Sequence, residues 1–473
     1  MTTPQFPRDG AGPWRRTALT IALGCMFVAP HAWAADDAAV QEQLRRLAER
    51  LQQLEQRNQQ LERQVKDLSA RPAASATAPA AAPMVPVEPE AGPESDAPKF
   101  TAALSGVAQN VNGGGSADGR SQTRLNYRGD VTAELAAGSL GDAEGKVFAQ
   151  LRFGAGNGVG LRPTHTGAVN SVAFETASGP DDSYAIVAQA WYQLNWQLDA
   201  GGFDEKLGSR VEMTVGKMDV FGFFDQNTVA GDESAQFLNN VFVHNPMLDS
   251  GGDTAADSYG FAPGLRLGYF DATGGKVGWG ASVGVLASGG GASFAASPGR
   301  PLVIAQFEAS PLQVGGDPKG TYRVYVWSNG HTSDISGAEQ RHRGIGVSAD
   351  QHLGAEWNLF GRWGRRFSGD GAFDHALTLG FEHGGRAWGR GSDAIGVAMG
   401  WLGTDKVWRD ATANGALAGY AASGNERIAE AYYRMKLNDK LSVSPDLQLI
   451  QRAGGDAQAP LAKVVGVRAT LGF

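Results

Sequence analysis

The sequence predicts an all-β fold, a transmembrane antiparallel β-barrel of about sixteen strands, preceded by an N-terminal α-helical coiled coil. Three observations carry that expectation. The chain ends in Val465, Val467, Ala469, Leu471 and Phe473 with Arg468 and Thr470 between them, which is strand periodicity with one apolar face and a terminal aromatic. Glycine supplies 66 residues, and all but Gly10, Gly12, Gly24 and Gly92 lie beyond residue 98, as suits many twisted strands and tight turns. No run of about 18 apolar residues follows the N-terminal leader, so a chain that crosses lipid must do so as a closed barrel, with every backbone polar group paired.

Residues 1–34 read as a Sec-type secretory signal. Arg15 and Arg16 precede an apolar stretch from Ala18 to Ala29, and Ala32-Trp33-Ala34 supplies an A-x-A cleavage site. The mature chain is then expected to begin near Ala35. Cys25 is the only cysteine and sits inside the signal core, so the exported chain would carry neither thiol nor disulfide. A lipoprotein signal at Leu23-Gly24-Cys25 fits less well, because the apolar run continues past the cysteine. Cleavage removes Arg8, Arg15 and Arg16 against Asp9, which lowers the formal charge by two, from -8 to -10. So acidic a chain excludes a nucleic-acid binder, since phosphate contacts need a basic surface.

Residues 35–71 form the next element. Val40, Leu44, Leu47, Leu51, Leu54, Leu61, Val65 and Leu68 follow an alternating 4-3 spacing whose missing member is Asn58. That is a heptad repeat, and a single helix would leave its seam wet, so self-association is expected. Arg50 with Glu55 and Arg57 with Glu62 can pair between parallel helices. A seam Asn suits a dimer, whereas Arg50-Leu51-Gln52-Gln53-Leu54-Glu55 resembles the hexad of short parallel trimers; the reading favours a homotrimer with its stalk in the periplasm. Residues 72–98 are dominated by Ala and Pro, too poor in large apolar side chains to pack, and read as an extended linker.

Residues 99–473 are expected to form the barrel. Strand character appears near 99–112, 120–138, 143–156, 183–199, 208–218, 257–271, 275–288, 301–311, 319–329, 340–352, 355–367, 373–386, 393–402, 426–438, 440–452 and 460–473. Leu125, Tyr127, Val131, Ala133 and Leu135 share one face while Arg124, Asn126, Arg128, Asp130, Thr132 and Glu134 take the other. Polar groups this dense would ruin a sandwich core but are solvated on the lumen of a water-filled barrel. Tyr192, Trp196, Trp357 and Tyr433 fall on apolar faces, where headgroup-level aromatics belong.

One stretch differs from the rest, about 38 residues between two strands and too aromatic to be a disordered connection. It runs from Gly216-Lys217-Met218-Asp219 through Phe223-Phe224-Asp225-Gln226-Asn227-Thr228-Val229-Ala230-Gly231-Asp232-Glu233 and Gln236-Phe237-Leu238-Asn239-Asn240 to Phe242-Val243-His244-Asn245-Pro246. Here the chain resembles the carbohydrate-selective (OprB-type) outer-membrane porins, whose GK(L/M)D…FD.N..A.DE..QFL…FV.NP signature it follows nearly position by position. The likeness extends more loosely over 99–473, including Tyr322-Arg323 and Ser444-Pro445-Asp446. It implies a sixteen-stranded, trimeric channel in the outer membrane of a Gram-negative bacterium that admits sugars and small hydrophilic solutes by diffusion.

Sugars present hydroxyls around a ring with apolar faces, so a channel favouring them should offer planar hydrogen-bonding groups beside aromatic surfaces. Asp225, Gln226, Asn227, Asp232, Glu233 and Asn239 are candidates for the first, and Phe223, Phe224 and Phe237 for the second. Arg124, Arg128, Arg152, Arg210, Arg323 and Arg434 are candidates for a basic ladder on the opposite wall. The alternative is that the loop aromatics and acids only pin the loop to the barrel.

No Ser/His/acid spacing, metal motif or phosphate loop points to an enzyme, and no cofactor is implied. Within the channel class the alternative is an anion- or dicarboxylate-selective porin. The coiled coil could additionally tether the barrel to peptidoglycan or a periplasmic partner.

Overall fold

The computed structural model describes residues 97–473 apart from 175–182, 200–207, 255, 258, 296–298, 313–318 and 416. The expected signal, coiled coil and nearly all of the linker lie outside the described residues. Sixteen strands follow one another: β1 (Lys99–Val111), β2 (Gln122–Leu140), β3 (Ala143–Ala155), β4 (Tyr184–Asp199), β5 (Ser209–Asp219), β6 (Phe261–Asp271), β7 (Val277–Leu286) and β8 (Leu302–Pro311) make the first half. The second half is β9 (Gly320–Ser333), β10 (Glu339–Leu353), β11 (Trp357–Ser368), β12 (Phe373–Gly384), β13 (Ala394–Thr404), β14 (Glu426–Lys436), β15 (Leu441–Gln451) and β16 (Ala462–Gly472).

Each strand pairs antiparallel with its sequence neighbours, and β1 closes on β16 from Ala103 opposite Gly472 to Val111 opposite Val464. Closure leaves no unpaired sheet edge, which is the condition for crossing lipid. Each of the sixteen expected segments overlaps one strand. The largest differences sit beside loops. Asp257, Tyr259 and Gly260 belong to the loop before β6, because the Asp257 carboxylate turns the chain by accepting from the backbone N–H of Tyr259 and Phe261. β9 runs on to Ser333 because Asp334 closes a tight hairpin, accepting from Ser336 and Ala338.

Connections at one end are short, as at Gly141 and Gly354, whose φ values of 62° and 65° allow tight turns. Those at the other end include 156–183 and 220–260. Short turns mark the periplasmic side of such barrels and long loops the extracellular side. Alternation sorts the side chains: Leu125 (75% exposed) and Val467 (46%) point to lipid, while Arg128 and Arg468 point inward and are buried. At the short-turn end, Trp279, Phe307, Tyr322, Trp357 and Trp388 are exposed, an interfacial aromatic belt.

The hydrophobic core lies inside the barrel. Phe224, Phe237, Phe242, Met247 and Leu248 of the 220–260 loop pack against Leu286, Leu302, Ile304, Tyr325, Trp327, Phe360 and Tyr432 of the wall. Large inward rings fit because glycines of a neighbouring strand face them: a Cβ on Gly344, Gly346 or Gly396 would lie 2.1 to 2.3 Å from Trp327, Tyr325 or Tyr432. Each buried loop side chain contributes about 1.5–3 kcal/mol, enough to hold the loop on the wall. The expected polar lumen is thus present on β2 to β5 and replaced by an apolar surface where the loop docks.

Candidate functional site

The loop begins at the Gly-Lys-Met-Asp segment that ends β5. Gly216 has φ 140°, and a Cβ there would sit 2.3 Å from the Ala190 carbonyl oxygen and 2.8 Å from the Trp191 Cβ, so only glycine lets β4 and β5 approach while Trp191 turns inward. Beyond Val220 the chain turns, and Asp225, at φ 57°, points its carboxylate into the wall. It accepts from the Asn245 N–H (2.6 Å), the Tyr325 hydroxyl (2.7 Å) and Arg362 Nε (3.1 Å). Arg362 also donates to the carbonyls of Ala230 (2.8 Å), Phe242 (2.6 Å) and Asp225 (3.2 Å). One buried guanidinium therefore ties three separated points of the loop to β11.

Two more wall arginines do the same. Arg468 donates to the carbonyls of Glu233 and Gln236, both at 2.8 Å, and Arg434 to that of Ala235 at 3.1 Å. Glu430 on β14 accepts from the backbone N–H of Leu238 (2.6 Å) and Asn239 (3.0 Å). Asn239 caps the short helix α1 (Asn240–Val243) through its side-chain oxygen. Buried backbone groups are satisfied by buried polar side chains, which fixes the loop's path.

A second loop, 156–183, completes the interior. Its described part joins the first through Ser171 N–H to the Leu238 carbonyl (2.8 Å) and Asn240 N–H to that of Ala168 (3.1 Å). Glu426 holds it by accepting from His165 N–H and from both the N–H and hydroxyl of Thr166. Gln109 and Gln448 both donate to the Val169 carbonyl.

Between these loops and the wall lies a cavity of about 950 Å³, lined by Arg128, Arg152, Arg323 and the loop residues Phe221, Gln226, Asp232, Glu233, His244 and Asp249 among others. Arg128 pairs with Glu233 (2.8 Å) and Asp130 (3.1 Å), Arg152 with Asp130 (2.7 Å), and Arg323 with Asp350 (2.9 Å). Burial opposes the charge on Glu233, but Arg128 and Arg152 outweigh it and hold the carboxyl down at about 2. Burial likewise disfavours charge on His244, and the Asp249 hydrogen bond at 2.8 Å with the charges of Asp249, Asp219 and Glu233 overcomes it, raising the imidazole above its ordinary value. The His244 ring also stacks on Phe221 at 3.8 Å between centroids.

The candidates of the sequence reading therefore separate. Gln226, Asp232, Glu233, Arg128, Arg152 and Arg323 meet around the cavity. Asp225, 1% exposed, and Asn227 are engaged in holding the loop, the latter by accepting from the N–H of Val229 and Ala230. Phe224 and Phe237 are in the core and Asn239 is a helix cap, so none of the three lies on the aqueous passage. Phe223 is half-buried below the Arg266 guanidinium, 5.2 Å from its ring. Arg124 is exposed near the extracellular end of β2. Arg210 pairs with Glu212 and Arg434 with Glu382, outside the cavity lining. Apart from Arg124, the expected ladder is thus a set of locally paired arginines.

Sequence reasoning missed Arg362, Arg468, Glu430, Phe221, His244 and the whole 156–183 loop. The signal for Arg362 was present in alternation: Phe360, Arg362, Gly364 and Arg366 share the inward face, opposite outward Trp363 and Phe367.

A closed sixteen-stranded antiparallel barrel with a loop packed against its inner wall and a charged cavity beside it defines an outer-membrane porin. A family model described as carbohydrate-selective porin, OprB family, matches residues 116–473, and the chain belongs to that family. Its place is the outer membrane of a Gram-negative bacterium, and its fold and family are those of channel proteins. Among solved structures it is similar to the high-pH structure of Pseudomonas putida OprB, at 19% identity and TM-score 0.62 over 80% of this chain and 94% of that one. The outer membrane channel DcaP of Acinetobacter baumannii aligns at 11% identity and TM-score 0.47 over 80% and 97%. No curated protein matches the chain.

Proposed function

We propose that this porin passes neutral carbohydrates, mono- and oligosaccharides, by passive diffusion. The observation that carries the reading is the charge balance of the cavity. Four guanidiniums (Arg128, Arg152, Arg323, Arg362) face five carboxylates (Asp219, Asp225, Asp232, Glu233, Asp249), with His244, His352 and Tyr259 as the other titratable groups of the lining. Such a lining has no positive excess to concentrate anions, which argues against the anion- or dicarboxylate-selective alternative. Fixed donors and acceptors in alternation suit a polyhydroxylated solute, which needs both and carries no charge. Phe221 on His244 supplies an apolar edge.

The test is liposome swelling with the full-length protein, comparing hexoses with organic acids of similar size. Faster entry of the sugars supports the reading. Faster entry of dicarboxylates overturns it. The same proposal takes the mature chain as a Sec-exported homotrimer whose 35–71 stalk stands in the periplasm on the 72–98 linker, with peptidoglycan or a periplasmic protein as the partner it could tether. Cross-linking of the intact protein and of a variant lacking 35–71 measures what the stalk contributes to assembly.

A further inference from the structure

Outside the cavity, on the short-turn side of the loop, three aromatic side chains border the lumen at the edge of the core and are only partly buried. On β3 the residues Lys146, Phe148, Gln150 and Arg152 share the inward face, and Trp191 lies opposite Phe148 in the β3–β4 register. Trp191 itself pairs with Gly216, three residues from the periplasmic side of Asp219, where the cavity lining begins. Phe148 and Trp191 are stacked, with centroids 4.8 Å apart and planes 17° apart, and Phe223 meets the edge of Trp191 at 5.7 Å. All three are half-buried. Trp191 and Phe223 rest against the core with one side, and the part of each ring that stays open, with that of Phe148, is turned to the lumen.

The patch is also held rigid and edged with hydrogen-bonding groups. Trp191 Nε1 donates to Gln189 Oε1 (3.3 Å), and the same oxygen accepts from the Asp219 N–H (3.1 Å), so the indole is tied to the start of the constriction loop. The Lys146 ammonium lies 5.8 Å over the Trp191 ring and 3.3 Å from Glu134, with part of its surface open. We propose that Phe148, Trp191 and Phe223 form a second sugar subsite, an aromatic ledge on the periplasmic side of the constriction that receives the apolar face of a pyranose while Lys146 and Glu134 meet its hydroxyls. This rests on the carbohydrate reading of the pore. It adds a position where a sugar pauses after passing the cavity, so transport saturates with sugar concentration.

The experiment is current block in planar bilayers, with glucose titrated against wild type, Trp191→Ala, Trp191→Phe and Phe148→Ala, each first shown to be barrel-folded by heat-modifiable mobility. Loss of one aromatic contact is expected to raise the half-blocking glucose concentration about three- to tenfold in Trp191→Ala and Phe148→Ala. Trp191→Phe should recover most of the block, which a mere change of pore shape would not give. Wild-type block that is unaltered in both alanine variants overturns the ledge and leaves the sugar pore standing. Absence of block in wild type, together with slow sugar swelling, overturns both. Weakened block accompanied by a matching shift of reversal potential assigns the effect to the charged constriction and overturns the ledge.

Discussion

Neutralising Glu233 tests the electrostatics of the constriction at one atom. Glu233 is the lining carboxylate that can be altered without releasing the loop, because its backbone carbonyl is held by Arg468 and its partner Arg128 keeps Asp130 and the Ser171 carbonyl. Glu233→Gln therefore removes one negative charge and leaves the chain path intact. The carboxyl is held at about 2, so it carries full charge at every pH the outer membrane meets. For an ion passing ~5 Å from it in water, the lost interaction is ~0.8 kcal/mol, roughly a factor of four in the local cation concentration. Salt at about 0.1 M screens over ~10 Å and trims this only modestly. The freed Arg128 charge acts in the same direction. Reversal potentials across a KCl gradient should shift toward anions by an amount equivalent to that factor, and swelling rates for hexoses should change while heat-modifiable mobility does not. An unchanged reversal potential and unchanged sugar uptake in a folded Glu233→Gln protein would refute the assignment of the constriction to this cavity.

Three further outcomes follow from the same geometry. Arg362→Met strands the buried Asp225 carboxylate and frees three loop carbonyls, and should cost about 3–5 kcal/mol of loop docking; single-channel conductance should rise with added noise, and the 220–260 loop should become open to protease. Gly216→Ala forces a Cβ against β4 at a φ alanine rarely adopts, at a cost above ~1 kcal/mol, and should lower the yield of heat-modifiable barrel. His244 is raised above 6.5, so its positive charge, and the stability it contributes, persists at and below that value and is lost as pH climbs through the raised one; cation preference should therefore increase with pH over that window and stay flat in His244→Gln.

The barrel was legible because its signals are local and repeated. Alternation over Arg124–Leu135 or Val465–Phe473 marks a face at every second residue, and glycine-bounded runs mark the ends. The loop was legible by its length and composition. What alternation could not show is which inward-facing positions stay wet. Tyr325, Trp327, Phe360 and Tyr432 point inward, yet no local feature says that loop residues such as Asn245 and Asp225, 80 and 100 positions before Tyr325, will cover them. Asp225 and Glu233 look equivalent in sequence, two acids on one aromatic loop. Arg362 beneath one and Arg128 beside the other make the first a fastening and leave the second on the cavity lining.

That division has a consequence for how such a constriction can vary. Arg362, Arg434 and Arg468 grip the loop through backbone carbonyls, and Glu430 grips it through backbone N–H groups. Backbone groups are the same whatever side chain the loop carries, so these contacts survive substitution at Gln226, Asp232 or Glu233. The side chains that must be kept are those that enter the wall: Asp225 for charge, Phe224, Phe237 and Phe242 for burial, and Asn239 for the helix cap. The loop thus has one face constrained by packing and another free to set the charge and hydrogen bonding of the passage. Its fixed face lies on the side of β7 to β16, and its variable face looks across the cavity at Arg128 and Arg152. Solute preference can therefore be retuned by exchanging two or three cavity-facing side chains, because most of the contacts that hold the loop in place run through its backbone and its wall-facing side chains.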